Sequence, residues 1–191
     1  MLNERKKFAD PGLLGLSAFV ISQSLLNIPN THLVNPYATP LFLTTVLFCG
    51  GGIQFLCSIF EYIRGNMVGM TTFGLFGGFF TSLGMFILFE LNGTLKFGTA
   101  GEEALGTFLL LWSILAIPFA IAAYREERLL GWMFIFVLLA FFGGSFTALL
   151  GLNSAFGGWA GLISAVIGFY IVFKGLLAAT TPEALGASKS E

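Results

Sequence analysis

Residues 129–151 read LLGWMFIFVLLAFFGGSFTALLG, an apolar run without one charged side chain. A helix needs about 20 mostly apolar residues to cross the hydrocarbon of a bilayer, and this run is long enough. Charged residues Arg125 to Arg128 precede it, and Asn153 with Gly157-Gly158 follows, both unfavourable to apolar helix. Working outward, five more runs of the same kind lie at 11–29, 39–63, 68–91, 103–124 and 157–179. Pro29 with Asn30 to Pro36, Arg64-Gly65-Asn66, and Asn92-Gly93 with Lys96 separate them. The fold class expected is an all-α integral membrane protein of six transmembrane helices. The transmembrane domain is read as 11–179, flanked by a cytoplasmic N-terminal segment 1–10 and a cytoplasmic C-terminal tail 180–191.

Composition agrees with that reading. The 191 residues are 56% hydrophobic, 16% aromatic and only 10% charged, with mean hydropathy +0.88. Soluble domains are about 25% charged, so a water-facing surface here would have to expose much of the Phe and aliphatic content. A formal net charge of -1 offers no basic excess for nucleic acid, and no Cys/His spacing suits a structural metal. No cofactor is expected. Cys49 and Cys57, eight residues apart in one run, sit about 12 Å apart as helix and are read as buried free thiols.

The first run follows Arg5-Lys6-Lys7 and has the outline of a signal peptide. Gln23, Asn27 and the lack of a small-x-small cleavage site mark it instead as a retained helix. With six spans both termini share a side. That side holds Arg5, Lys6, Lys7, Arg64, Arg125, Arg128, Lys174 and Lys189, against Lys96 alone on the other, so it is read as the cytoplasm and the membrane as the plasma membrane.

Small residues predict where helices meet, because association in lipid relies on close backbone contact. Gly157, Gly161, Ser164 and Gly168 form one stripe, and Ala140, Gly144, Ala148 and Gly151 another. Both predict tight pairing, within a protomer or between protomers. Polar residues predict a path, since each costs free energy in the membrane unless it meets a partner or water. Gln54, Ser58 and Glu61 share a face of the second span, and Thr71, Gly74, Gly78, Thr81 and Ser82 roughly share one of the third. The first adds Ser17, Gln23, Ser24 and Asn27. Glu61 is read either as an interfacial ion pair with Arg64 three residues on or as a proton-coupling group. Lys174 is read as snorkelling to the interface.

Two stretches resemble the acetate uptake transporter family, also called the succinate-acetate permease or YaaH-type family. Asp10-Pro11-Gly12-Leu13-Leu14-Gly15-Leu16-Ser17-Ala18-Phe19 is similar to its N-terminal signature Asn-Pro-Ala-Pro-Leu-Gly-Leu-x-Gly-Phe. Asp10 stands in place of Asn, Gly12 in place of Ala and Leu13 in place of the second Pro. Gly51-Gly52-Ile53-Gln54, Phe60-Glu61-Tyr62, Gly65-Asn66, Thr72-Phe73 and Phe76-Gly77 then follow the family pattern in order, and Gly157-Gly158-Trp159 also recurs in it.

The resemblance implies homo-hexamers of six-helix protomers, each with its own pore, carrying acetate and in some members succinate. It implies a constriction at Phe19, at Phe76 where relatives often have Tyr, and at Val137 or Leu138. Gln54, Asn66, Thr72 and helix N-termini are the candidate donors to the solute. A bare carboxylate in an apolar constriction costs several kcal/mol even after relaxation. A carboxylic acid titrates near 4 in water, and desolvation raises that value, so passage with a proton is expected. The alternatives are a passive anion channel and a neutral-solute channel for urea or ammonia. A membrane enzyme ranks last, because His32 lies in a loop with no nucleophile and base in view.

Overall fold

The computed structural model describes residues 9–96, 98 and 100–181. Arg5, Lys6, Lys7 and Lys189, and with them most of the two terminal segments, lie outside the described residues. All regular structure among the described residues is helical. Helix α1 is Gly12–Asn27, α2 Thr39–Thr45, α3 Gln54–Arg64, α4 Met67–Leu91, α5 Ala100–Glu126, α6 Arg128–Leu150 and α7 Ala155–Ala179. Six stretches are long and apolar enough to cross a membrane, and α2, a π-helical segment Val46–Ile53 and α3 together make the second of them, Thr39–Arg64. The largest departure from the apolar runs is at α5, which starts at residue 100 instead of 103.

Local chemistry explains the turn that reverses the chain between α3 and α4. Gly65 takes a left-handed φ of 77° at the end of α3, a conformation that costs glycine nothing. Asn66 then caps α4, its side-chain oxygen accepting from the Gly69 N–H at 3.1 Å. Crossings alternate from there. One end of the bundle gathers Asp10, Arg64, Asn66, Glu126 and Glu127, and the opposite end Asn30, Thr39, Glu102 and Ser154.

Packing runs α5 on α6, α6 on α7, α7 on α1, α1 on the π-helical segment, and α3 on α4. The α7 stripe works inside the protomer. Gly157 meets α6 at backbone level: a Cβ on Gly143 would lie 2.6 Å from the Gly157 Cα. Gly161 abuts Asn27 and Gly168 abuts Val20, both on α1. The α6 stripe behaves differently. Ala140 and Gly144 touch α7 at Gly157, yet Ala140, Gly144, Ala148 and Gly151 all line a cavity, so small side chains there leave room as well as permitting contact. Cys49 and Cys57 are free.

The centre of the ring of helices is filled with aromatic rings. Phe19 and Val20 of α1, Phe76, Phe79 and Phe80 of α4, and Phe134, Val137 and Phe141 of α6 are all buried in one apolar cluster.

Candidate functional site

Two cavities enter the bundle from opposite ends. The first, about 300 Å³, opens at the end carrying Asp10 and Arg64 and reaches inward to Phe19, Gln54, Phe73, Phe76 and Phe134. The second, about 430 Å³, opens at the other end and reaches inward to Gln23, Asn27, Phe79, Leu109 and Phe141. Between them stands a layer of phenyl rings. Phe76 meets Phe19 edge to face at 5.6 Å between centroids and Phe134 at 5.7 Å. It meets Phe141 and Phe79 at 6.2 and 6.4 Å, and those two rings are 4.7 Å apart. Phe76 and Phe79 are one turn apart on α4 and face different cavities, so the layer is about one helix turn thick, roughly 5 Å.

The structure brings Phe19, Phe76, Gln54, Asn66, Thr72 and Glu61 together around the first cavity. Val137 is wholly buried between Phe134 and Phe141 along α6 and borders neither cavity. Leu138 is partly buried against the same cluster and also borders neither. The ring-layer residues that the sequence did not single out are Phe79, Phe134 and Phe141. Their signal is spacing alone, i+3 from Phe76 and i, i+7 on α6, and it is hard to separate from the background of 23 Phe.

Polar groups divide into two kinds. Most hydroxyls bond to backbone carbonyls: Ser17 to Leu13, Ser24 to Val20, Thr71 to Met67, Thr81 to Gly77 and Ser113 to Leu109. Ser58 donates to the Met70 carbonyl across α3 and α4 at 2.7 Å. None of the third-span stripe Thr71, Gly74, Gly78, Thr81 and Ser82 borders either of these two cavities, which corrects the expectation that it faces the path between them. A serine or threonine in a helix satisfies itself on the carbonyl four residues back, so its position need not mark a wet face. Amides are the better marker. Gln23 and Asn27 border one cavity and Gln54 the other.

Gln54 differs from its neighbours. It is 0% exposed although it borders the first cavity, and neither its Nε2 nor its Oε1 has a hydrogen-bond partner. Each such orphan costs on the order of 1–3 kcal/mol. Asn66, by contrast, is fully engaged: its Nδ2 donates to Glu61 Oε2 at 2.9 Å while its oxygen caps α4.

The first cavity's mouth is acidic. Among the described residues, Asp10, Glu61, Glu126 and Glu127 line it together with the cation Arg64. Arg64 Nη1 is 2.6 Å from Asp10 Oδ1 and 3.6 Å from Glu61 Oε2, so the ion pair expected with Glu61 exists but is the longer of two. Asp10 Oδ1 also accepts from the Gly12 N–H at 2.9 Å, tying the chain before α1 to the end of α3.

Six membrane-length apolar helical stretches, with two cavities opening at opposite ends and a layer of rings between them, define a multi-pass membrane protein of the transporter and channel class. Residues 2–183 match the GPR1/FUN34/yaaH family, to which the chain belongs. It is 30% identical over 180 residues to the succinate-acetate/proton symporter SatP of Escherichia coli K12, covering 90% of each chain. It is 28% identical over 177 residues to ammonia transport outward protein 2 of Saccharomyces cerevisiae, covering 89% of this chain and 62% of that one. A solved structure of the bacterial acetate channel SatP superposes with TM-score 0.83 at 26% identity, covering 94% of this chain and 96% of that one.

Proposed function

We propose that this protein moves acetate, and related small carboxylates including succinate, across the plasma membrane. The solute crosses the ring layer as the un-ionised acid, so that a proton travels with it. The observation that carries the reading is the single layer of phenyl rings between two small cavities, the first of which is lined, among the described residues, by four carboxylates and Arg64. There a carboxylate anion meets Arg64 already paired with Asp10, whereas un-ionised acetic acid sheds far less hydration than its anion on entering the ring layer. The names borne by its relatives, an acetate channel and a succinate-acetate/proton symporter, point to the same solute class.

In this reading Phe19, Phe76 and Val137 form the constriction, Leu138 supporting it from behind. Gln54 and Thr72 replace hydration at its edge, and Asn66 holds Glu61 in place. Glu61 serves as a structural carboxylate of the mouth; proton coupling through it is the competing assignment. The protomers assemble as homo-hexamers with one passage each. The end of the bundle with Arg64, Arg125 and Arg128 faces the cytoplasm, with both termini, because Lys and Arg concentrate there.

The test is uptake of labelled acetate by proteoliposomes under separate control of pH and voltage. Uptake that rises on acidifying the outside and ignores voltage supports un-ionised passage; uptake driven by voltage and indifferent to external acid overturns it. A second reading, a channel for ammonia or a similar neutral base, draws on the name of the yeast relative. Alkalinisation of the vesicle lumen by external ammonium, without acetate flux, would favour it.

A further inference from the structure

The turn between α5 and α6 sorts its charges. It reads Arg125-Glu126-Glu127-Arg128, and both carboxylates line the first cavity while neither arginine borders either cavity. All four residues are exposed, and among the described residues neither arginine makes an ion pair. The backbone fixes the turn: the Glu127 N–H donates to the Ala123 carbonyl and the Gly131 N–H to the Glu127 carbonyl, each at 2.9 Å. A Cβ on Gly131 would lie 2.5 Å from Tyr124 Cα, so α5 and α6 touch at backbone level just below the arginines. Tyr124 and Trp132 meet there edge to face at 6.4 Å between centroids, both close to half exposed. Among the described residues neither the Tyr124 hydroxyl nor the Trp132 indole N–H has a hydrogen-bond partner. The outward faces of the two helices then run in one order. On α5, exposed Ile121 precedes Tyr124 and Arg125 by three and four positions; on α6, Arg128, Trp132 and Leu139 fall at i, i+4 and i+11. Trp132 lies four residues, about 6 Å, inside the start of α6. That helix has 23 residues and is about 35 Å long, against a hydrocarbon core of about 30 Å. Its side chains lean toward the helix N-terminus, which places the ring at the boundary between core and headgroups.

We propose that this outer corner of α5 and α6 is a binding site for an anionic membrane lipid, one whose phosphodiester headgroup carries net negative charge. Arg125 and Arg128, one on each side of the turn, hold the phosphate through charge-assisted hydrogen bonds. The Tyr124 hydroxyl and the Trp132 N–H donate to the headgroup or to the ester carbonyls beneath it. Ile121 and Leu139 flank the acyl chains. Charge selects the lipid, because a zwitterionic headgroup brings a cation of its own that two arginines repel. Depth selects a lipid over a soluble anion: a free phosphate gains from the arginines but nothing from two rings and two aliphatic side chains turned to the hydrocarbon. Glu126 and Glu127 do not cancel the site, because they face the first cavity on the inner side of the same turn. The site lies outside the passage, and the inference is independent of which solute crosses.

The experiment places full-length protein in phosphatidylcholine vesicles with increasing fractions of brominated phosphatidylglycerol, which quenches tryptophan on contact. The part of the signal lost in Trp132→Phe reports this corner and separates it from Trp112 and Trp159. That part should show a preference for brominated phosphatidylglycerol over brominated phosphatidylcholine of about twentyfold, the expectation for two arginines near an anionic surface. Arg125→Gln and Arg128→Gln should each lower the preference about fivefold, and the double variant should abolish it with Tm unchanged, since both side chains are exposed. Lys174→Gln, which removes a cation of α7 at the same end of the bundle, should leave it within about twofold. Inorganic phosphate at matched ionic strength should not compete. Equal quenching by the two lipids, or a loss in Lys174→Gln as large as in the arginine variants, would reduce the corner to general surface charge and overturn the site. Competition by inorganic phosphate would make it a site for a soluble anion, and no quenching of Trp132 by either lipid would mean that another copy of the chain covers it; each overturns the proposal. Acetate flux enters none of these readouts, so the site and the transport reading stand or fall separately.

Discussion

Arg64 makes its shorter ion pair with Asp10, 54 positions earlier in the chain, and its longer one with Glu61 on its own helix. Asp10 stands where the family signature has Asn, so this contact joins the segment before α1 to the end of α3 at the mouth of the first cavity through a residue in which the chain departs from that signature. Both partners are well exposed, so the pair contributes at most about 1 kcal/mol to stability.

Asp10→Asn should therefore leave Tm nearly unchanged, since the amide oxygen can still accept from the Gly12 N–H. It should release Arg64 toward solution and reduce the acidic excess of the mouth. Because the passage proposed is of the un-ionised acid, apparent affinity for acetate from that side should stay within about twofold both at low salt and above roughly 0.5 M salt; a gain at low salt that disappears with screening would mean that the anion itself enters. Sided uptake across an ionic-strength series measures it.

Phe76 touches Phe19, Phe79, Phe134 and Phe141, so its loss opens the layer at its centre. Phe76→Ala should admit longer carboxylates such as butyrate and should cost about 3–5 kcal/mol of stability, lowering Tm. An uptake profile across chain lengths identical to that of the unaltered protein would remove Phe76 from the constriction.

Glycine substitutions separate contact from open space. Gly143→Ala would drive a methyl against the Gly157 backbone, which has no side chain to move aside, and should cost at least about 1–3 kcal/mol. A Cβ at Gly78 meets nothing within 4 Å, so Gly78→Ala should gain up to about 1 kcal/mol from helix propensity. Scanning fluorimetry of the two variants side by side gives opposite signs if the α6–α7 contact is as described.

Glu61→Gln tests the two assignments of that carboxylate. Its Oε1 remains able to accept from Asn66, so the mouth keeps its geometry. In the un-ionised passage proposed here, acetate uptake in this variant stays within about twofold and still rises on external acidification. Loss of the pH response with uptake retained would make Glu61 the proton-coupling group. Glu61→Ala, which also frees Asn66, should lower Tm by the equivalent of about 1–2 kcal/mol.

Much of the fold was readable because bilayer thickness converts directly into run length: six charge-poor stretches became six crossings, with ends displaced by a few residues. The turn at Gly65-Asn66 was equally plain. Periodicity failed where side chains can satisfy themselves. Thr71 and Thr81 looked like pore lining yet bond their own helix, whereas Gln23, Asn27 and Gln54 carry amides that do border the cavities. The ring layer was legible only through the family pattern at Phe19 and Phe76. Phe79 and Phe141 were hidden among residues of the same type, and no local feature announces the pairing of Asp10 with Arg64. The π-helical winding at Val46–Ile53 likewise has no signature beyond three adjacent glycines.

A barrier one helix turn thick sets the kind of motion needed to cross it. Rotamer changes of a few phenyl side chains suffice, while the backbone-to-backbone contact of Gly143 with Gly157 keeps α6 and α7 from rocking apart. Such flicker runs on far shorter timescales than the swivelling of half a protein around its cargo. In the un-ionised passage proposed above, turnover should then be limited by how often a solute arrives protonated, and cooling should slow it gently.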